Sequence, residues 1–442
     1  MKNSIQHAVV SIQGVIKKIL LICLLSAVCC LPSPVWCASP AVKEIDMQEA
    51  VRLTYLNNPE ILGSLEDFAI SEQKLKQARH LYFPQFGFDA SATSFKAQRS
   101  FVTSEGIGGV LFTPQDDKRL YMGRGFVEYP FYTGGQIKNA IVMAKAAHEK
   151  AQSQKSKTDS KALKQVKIKL VEYLFLKEKR QTCETLVKDW SQLKGGSSGP
   201  SGRLLANDML FQLESDLDSI ESNELPNTKS EVLNAIGLDL SSEVKLTGTL
   251  HDLPVPDKLP ELNQALSWAR EYRPEYKEEA LESEMDATYV AIALAGRHPS
   301  ISVGGIYEFM GARFPLRKIN WAGMLKVHFP LSWDTWATIR EQRAKQRKGQ
   351  MKRLATADKI RLEVEQAYLN LKTDLQKLHK TKKIFEEWKN NIVRVAQGTN
   401  DTYKRYLLFN RWRTVSLDYA SAYAKAMISR YTLEHAIGKP LE

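Results

Sequence analysis

Beyond its first 37 residues this chain has a single cysteine. Four of the five (Cys23, Cys29, Cys30 and Cys37) lie within that leader, and only Cys183 follows it. One thiol cannot close an intrachain disulfide, and it cannot supply a Cys-x-x-Cys zinc site. Stability has to come from packing, from oligomerisation, or from both. The eight histidines are scattered and none forms His-Glu-x-x-His. Gly195–Gly202 is glycine-rich but lacks the Gly-Lys-Ser/Thr ending of a phosphate loop, and it follows a helical pattern rather than a strand. It reads as a turn. Gly106-Ile107-Gly108-Gly109 reads as a loop between strands. No carboxylate pair stands out as acid and base, so the chain reads as no enzyme, with no cofactor and no metal.

Acid is absent from residues 1–37, which carry Lys2, Lys17 and Lys18 and then the apolar run Ile19–Leu31. Pro32 and Pro34 follow, and cleavage before Ala38 fits a secretory signal. The alternative is an uncleaved anchor, since no charge occurs from Ile19 to Val42. Taking the three leader lysines from the formal net charge of +12 leaves +9. The remaining charge is spread along helical segments rather than massed in one patch, which argues against nucleic acid as a partner.

What is present is said twice. Asn58-Pro59-Glu60 recurs as Arg273-Pro274-Glu275, and Pro84 as Pro299, both at an offset of 215 residues. Tyr129-Pro130-Phe131 is echoed by Phe329-Pro330-Leu331 at offset 200, and Ala235-Ile236-Gly237 by Ala436-Ile437-Gly438 at offset 201. Such a duplication suggests two equivalent units around a shared axis. Residues 38–240 form the first repeat, 241–260 a proline-rich linker, and 261–442 the second. Each repeat runs helix, strand, loop, strand, long helix, break, returning helix.

After Pro84 the pattern switches to a period of two. Phe86, Phe88, Ala90 and Ala92 oppose Gln85, Gly87, Asp89 and Ser91; Tyr121, Val127, Tyr129 and Phe131 oppose Met122, Arg124, Phe126 and Glu128. In the second repeat Ile301, Val303, Tyr307 and Phe309 oppose Ser302, Gly304 and Glu308, and Trp321, Leu325, Val327 and Phe329 oppose Lys326 and His328. Strands that alternate in this way suit a membrane barrel with apolar residues facing lipid and polar ones facing a lumen. Taken singly, each fits a half-buried strand of a soluble sandwich equally well.

The helical parts are long. Residues 136–194 contain no proline or glycine, which allows a rod of roughly 88 Å. Residues 336–397 are similar, interrupted only by Gly349. Val364, Tyr368, Leu371, Leu375 and Leu378 follow the 4-3 spacing of coiled coils, as do Leu210, Leu213, Leu217 and Ile220. Pro226 should kink the first returning helix, and Gly237 and Gly438 should cap the two returning helices. Residues 136–194 hold 14 basic and 6 acidic groups, whereas 203–237 hold 2 and 7. Antiparallel pairing of these arms is favourable. Both arms of the second hairpin are basic, which suggests that the acidic helix finds a further partner in a neighbouring subunit; a solvated face is the plainer alternative.

Four amphipathic strands cannot cross a membrane as an open sheet, because unpaired edge groups in lipid cost too much. Two chains would supply eight strands and three would supply twelve. At this point the chain resembles the TolC-type outer-membrane efflux family across most of its mature length. The resemblance rests on the Asn58-Pro59-Glu60 and Arg273-Pro274-Glu275 helix starts, on Pro84 and Pro299, and on Tyr129-Pro130-Phe131-Tyr132-Thr133-Gly134-Gly135 with its second copy, Phe329-Pro330-Leu331 and Trp333-Asp334. It implies a mainly α fold with membrane β: an internally duplicated chain whose long antiparallel hairpins form a periplasmic α-barrel, with four strands per chain in a shared trimeric β-barrel. It further implies a homotrimer in the outer-membrane bilayer and a passive duct for efflux or type I secretion. A periplasmic adaptor would recruit the duct to an inner-membrane pump.

On that footing Asp89, Arg124, Glu128, Glu308, Lys326 and His328 would face the barrel lumen. Acidic residues often ring the family's periplasmic aperture. Asp208 follows the first turn and fits that role, but the second turn is followed by Lys404 and Arg405, with no acid. Basic side chains there would favour anions; the alternative is that both face outward. The rival reading of the whole chain is a periplasmic coiled-coil adaptor, which usually carries one hairpin rather than two complete repeats.

Overall fold

The computed structural model describes residues 43–94, 119–193, 200–256, 258–330, 333–398 and 402–441. The leader and the 99–118 loop lie outside the described residues, as do most of the two hairpin turns. Glu44–Ser241 and Leu246–Glu442 form one compact unit, to which the elements below belong. The described part of the other, Lys43 and Ser242–Lys245, holds residues of two short strands, Lys43–Ile45 and Val244–Leu246.

The first repeat comprises α1 (Met47–Asn57), α2 (Pro59–His80), β1 (Gln85–Ser94), β2 (Arg119–Tyr132), α3 (Gln136–Leu193), α4 (Pro200–Ser219) and α5 (Leu225–Ile236). The second comprises α6 (Leu262–Tyr272), α7 (Pro274–Ala295), β3 (Ser300–Gly311), β4 (Lys318–His328), α8 (Asp334–Gln397) and α9 (Thr402–Ile437). Among the described residues no helix is long and apolar enough to cross a membrane.

Local chemistry explains the helix starts. Asp46 opens α1 by accepting from the Glu49 amide at 2.7 Å. Asn58 opens α2 by accepting from the Glu60 and Ile61 amides at 2.9 and 3.2 Å, with Pro59 where a missing N–H costs nothing. The duplicated motifs meet in space. Asn58 donates through Nδ2 to the carbonyl of Ala235 at 2.7 Å. Gly237 and Gly438 both adopt left-handed backbone (φ 86° and 73°) and end their helices against the Asn57–Asn58 and Tyr272–Arg273 backbones. Any side chain at Gly237 would crowd the start of α2, and any at Gly438 the start of α7.

At 1.5 Å per residue, the 58 residues of α3 and the 64 of α8 span about 87 and 96 Å. Helix α8 runs through Gly349 without a break. A Cβ at this position would meet the end of the Asp286 side chain on α7. Near Pro226 the disturbance falls one turn upstream, as a π-turn at Ile220–Glu224. Proline gives no amide to the preceding turn and its ring presses on that turn's carbonyls, which widens it.

Helix α3 packs against α2, α7, α9 and α5, and α8 lies between α7 and α9. Of the coiled-coil positions, Val364, Leu371, Leu375 and Leu378 on α8 and Leu213 on α4 are buried, while Tyr368, Leu210 and Leu217 are half-buried. Each such side chain contributes roughly 1.5–3 kcal/mol when fully buried. The charge asymmetry of the first hairpin resolves into named pairs, Lys169–Glu231 (2.9 Å), Lys179–Glu224 (3.1 Å) and Arg180–Glu221 (3.2 Å). They are partly exposed, so they set register more than stability. The acidic helix also meets the basic second hairpin inside the same chain, through Arg413 and Asp216.

Candidate functional site

The four strands form one antiparallel sheet in the order β1-β2-β3-β4. Its register sorts the side chains strictly. Phe86 stands opposite Val127, Tyr129 opposite Val303, Tyr307 opposite Trp321, and Phe309 opposite Ile319. This face is apolar, and Phe86, Tyr307 and Trp321 are exposed on it. The other face carries Asp89 opposite Arg124, Arg124 opposite Glu308, Glu308 opposite Asn320, Ser302 opposite Lys326, and Ser300 opposite His328. Glu128, opposite Gly304, shares it. All six polar strand residues singled out from the sequence therefore lie on one face.

Arg124 holds this face together. Its Nη2 donates to Asp89 Oδ2 at 3.2 Å, and its other cross-strand neighbour, Glu308, is only 6 % exposed. The row Asp89, Arg124, Glu308 alternates in sign across three strands. Among the described residues, strands β1 and β4 each leave one edge unpaired. Such edges are stable in lipid only when another chain completes the ladder.

Exposed aromatic side chains gather where strands pass into helices: Phe83 after α2, Phe131 and Tyr132 before α3, and Phe329, Trp333 and Trp336 around the start of α8. Aromatic side chains at this boundary are what a bilayer interface favours.

At the opposite ends of the long helices, Leu186 and Trp190 of α3, Met209 and Leu213 of α4, and Phe409 of α9 form one buried cluster. The Trp190 and Phe409 rings meet edge to face at 5.2 Å. Asp208 precedes Met209, is exposed, and accepts from Gln212 Nε2 at 2.9 Å. Lys404 is exposed and Arg405 half-buried in the first turn of α9, one turn before Phe409. The three aperture candidates thus lie near the starts of the two returning helices, Asp208 in the third turn of α4 and Lys404 and Arg405 in the first turn of α9, beside a common core. Cys183 is fully buried, and that burial pushes its thiol above the ordinary range, as expected of a packing residue.

Between these ends lies a polar crossing that the sequence did not reveal. Arg273, 7 % exposed, takes the place that Asn58 holds in the first repeat but caps nothing. Its guanidinium instead donates to Glu275 (3.1 Å) and to Glu363 of α8 (2.5 Å). An arginine standing at a helix-capping position was the available signal. Nearby, His435 Nδ1 lies 2.9 Å from Ser160 Oγ. Burial, with Lys164 and Arg273 adding to it, lowers the His435 imidazole to about 4. Burial also lowers the Lys164 ammonium. A cleft of about 400 Å³ opens beside them, lined by Tyr55, Ser160, Lys164 and His435 among others.

No family model matches this sequence, and no curated protein does. Solved structures do match its fold. CusC, a protein described for its folding and transmembrane channel formation, superimposes with a TM-score of 0.72 at 13% identity, over 92% of this chain and 97% of its own. The outer membrane protein VceC of Vibrio cholerae gives 0.69 at 14%, over 90% and 97%. The open state of the MtrE outer membrane channel of Neisseria gonorrhoeae gives 0.72 at 12%, over 90% and 89%. The fold is that of TolC-type outer-membrane channels, as the sequence resemblance implied.

Proposed function

We propose that this chain is the outer-membrane exit duct of a tripartite efflux or type I secretion system. It acts as a homotrimer in which three open four-stranded sheets close one twelve-stranded barrel. The observation that carries this reading is the sheet itself: apolar on one face, charged on the other, unpaired at both edges, and continuous with helices of about 90 Å. A soluble protein has no use for a face on which Phe86, Tyr307 and Trp321 stand exposed. The helical hairpins extend into the periplasm, where an adaptor recruits the duct to an inner-membrane pump. The pump supplies the energy, and the duct performs no catalysis.

In this reading the leader at 1–37 directs export, and the repeats at 38–240 and 261–442, joined through 241–260, supply equivalent halves of the wall. Asp89, Arg124, Glu128, Glu308, Lys326 and His328 line the lumen. Asp208, Lys404 and Arg405 stand at the periplasmic aperture, where the basic pair favours anions.

The test is light scattering with negative-stain imaging of the detergent-extracted complex, followed by planar-bilayer conductance. Three chains per particle, a rod well over ~80 Å and stable ion-conducting steps are expected. A water-soluble monomer with no conductance would sink the reading.

A further inference from the structure

Helix α8 leaves the sheet with a stripe of unusual composition. Trp333, Trp336, Arg340, Arg343 and Arg347 follow one another at intervals of 3, 4, 3 and 4, so they share one face of the helix. All five are exposed, Trp333 at 91 %. The three arginines make no ion pair among the described residues, whereas Lys345 is paired with Glu341 on another face. The guanidinium of Arg297, from the turn after α7, stacks on the Trp336 ring at 4.4 Å and places a fourth arginine at the same level.

The duplication provides an internal control. At offset 200 the first repeat has Thr133, Gln136, Ala140, Met143 and Ala147, with no tryptophan and no charge. The scaffold therefore folds without the stripe. The three arginines are exposed, whereas Ile339 at the same level of α8 is buried.

We propose that this stripe binds the anionic phospholipid headgroups of the bilayer leaflet nearest the helical hairpins. The proposal rests on the outer-membrane reading above. The two tryptophans sit at headgroup depth, where their amphipathic rings are favoured. The arginines follow over the next three turns, about 6 to 16 Å beyond Trp336. Helical side chains lean toward the helix N-terminus, which here is the membrane side, and arginine's long stem carries its guanidinium further that way. Its planar fork then meets phosphate oxygens in pairs. The stripe reaches past the headgroups by no more than about a Debye length, so even Arg347 feels the surface charge.

The test uses the full chain, extracted and reconstituted in vesicles of phosphatidylcholine alone or mixed with phosphatidylglycerol. The lipids retained through repurification are then counted by native mass spectrometry. Wild type should enrich phosphatidylglycerol over phosphatidylcholine. The variant R340Q/R343Q/R347Q should lose that preference by roughly fivefold per arginine, on the order of a hundredfold in all. K345Q/K348Q/K352Q removes the same charge from another face, about 7 Å further along the helix, and should keep it. If the arginine triple does not insert, R340Q and R343Q singly carry the test at roughly fivefold each. Equal loss in both triples, or no loss in the arginine variants, overturns the proposal. Insertion of wild type without any anionic preference overturns this proposal alone. Failure of wild type to enter either vesicle defeats the outer-membrane reading, and this one with it.

Discussion

Gly438 and Tyr272 touch backbone to backbone: a Cβ on Gly438 would stand 3.0 Å from both the carbonyl carbon and the carbonyl oxygen of Tyr272. The contact locks the end of the last helix onto the start of α7, as Gly237 locks the first returning helix onto α2. G438A therefore faces two costs, the left-handed backbone and the collision. Gly248 is also left-handed (φ 104°) but has open space around it. G248A should lose about 1 kcal/mol and G438A about 2–3 kcal/mol. Thermal denaturation of both variants reads the difference, and equal losses would show that the contact adds nothing.

Arg273 should be worth more than an ordinary surface charge, because its guanidinium bridges α7 and α8 while buried. R273Q leaves Glu363 without that partner. The expected loss is roughly 2 kcal/mol, below the figure for fully buried pairs because Glu363 is partly open to solvent. A double-mutant cycle with E363Q should return a coupling of about 1 kcal/mol or more. Strict additivity of the two single changes would count against the bridge.

His435 predicts an acid-sensitive limb. Its imidazole titrates near 4 in the folded chain and near its ordinary 6.5 when unfolded, so the unfolded state takes the proton first. Stability from this group is complete above about pH 6.5 and is lost as the pH falls toward 4. Allowing for solvent at its open edge, the loss should reach no more than ~2 kcal/mol. Burial raises the carboxyls of Asp159 and Glu278, which act with the opposite sign at lower pH. The histidine's share is thus the difference between wild type and H435Q in denaturant titrations from pH 7 to 4. Parallel curves would remove His435 from the account.

At the aperture, K404E/R405E replaces two basic side chains per chain with acids. If both line the conduit, the reversal potential under a salt gradient should move toward cation preference, with single-channel steps otherwise preserved. An unchanged reversal potential would place both side chains on the outer surface.

The linker is strapped to the last helix through Tyr423, whose hydroxyl donates to the Leu253 carbonyl at 2.7 Å. Y423F should cost about 1 kcal/mol and speed amide exchange across residues 248–254. Exchange that stays as slow as in wild type would mean that the strap is held by other contacts, such as that of Arg430 with the Pro254 carbonyl.

Much of this was legible before any coordinates. The period of two in Phe86–Ala92 and its three counterparts sorted the strand residues to their faces as far as the bulge at Pro130/Tyr132, because a pleated strand has only two faces. The 4-3 spacing of Leu371, Leu375 and Leu378 marked the buried seam of α8, because a helix must bury one stripe. Asn58 and Gly237 announced helix ends through side-chain or backbone properties that act within a few residues.

The tertiary structure alone decided what depends on distance across the chain. Arg273 and Glu363 lie 90 positions apart, and no periodicity links them. Gly349 looked like an interruption until the Asp286 carboxylate was seen lying against it. Asp216 lacked a visible basic partner beyond its own hairpin until the packing of α9 beside α4 brought Arg413 to it. The sequence by itself determined the elements, their faces and their duplication, because those follow from short-range geometry and from solvent. Which faces meet, and therefore which charges are buried together, was settled only when the long helices packed, because helix packing joins residues that local forces never bring into contact.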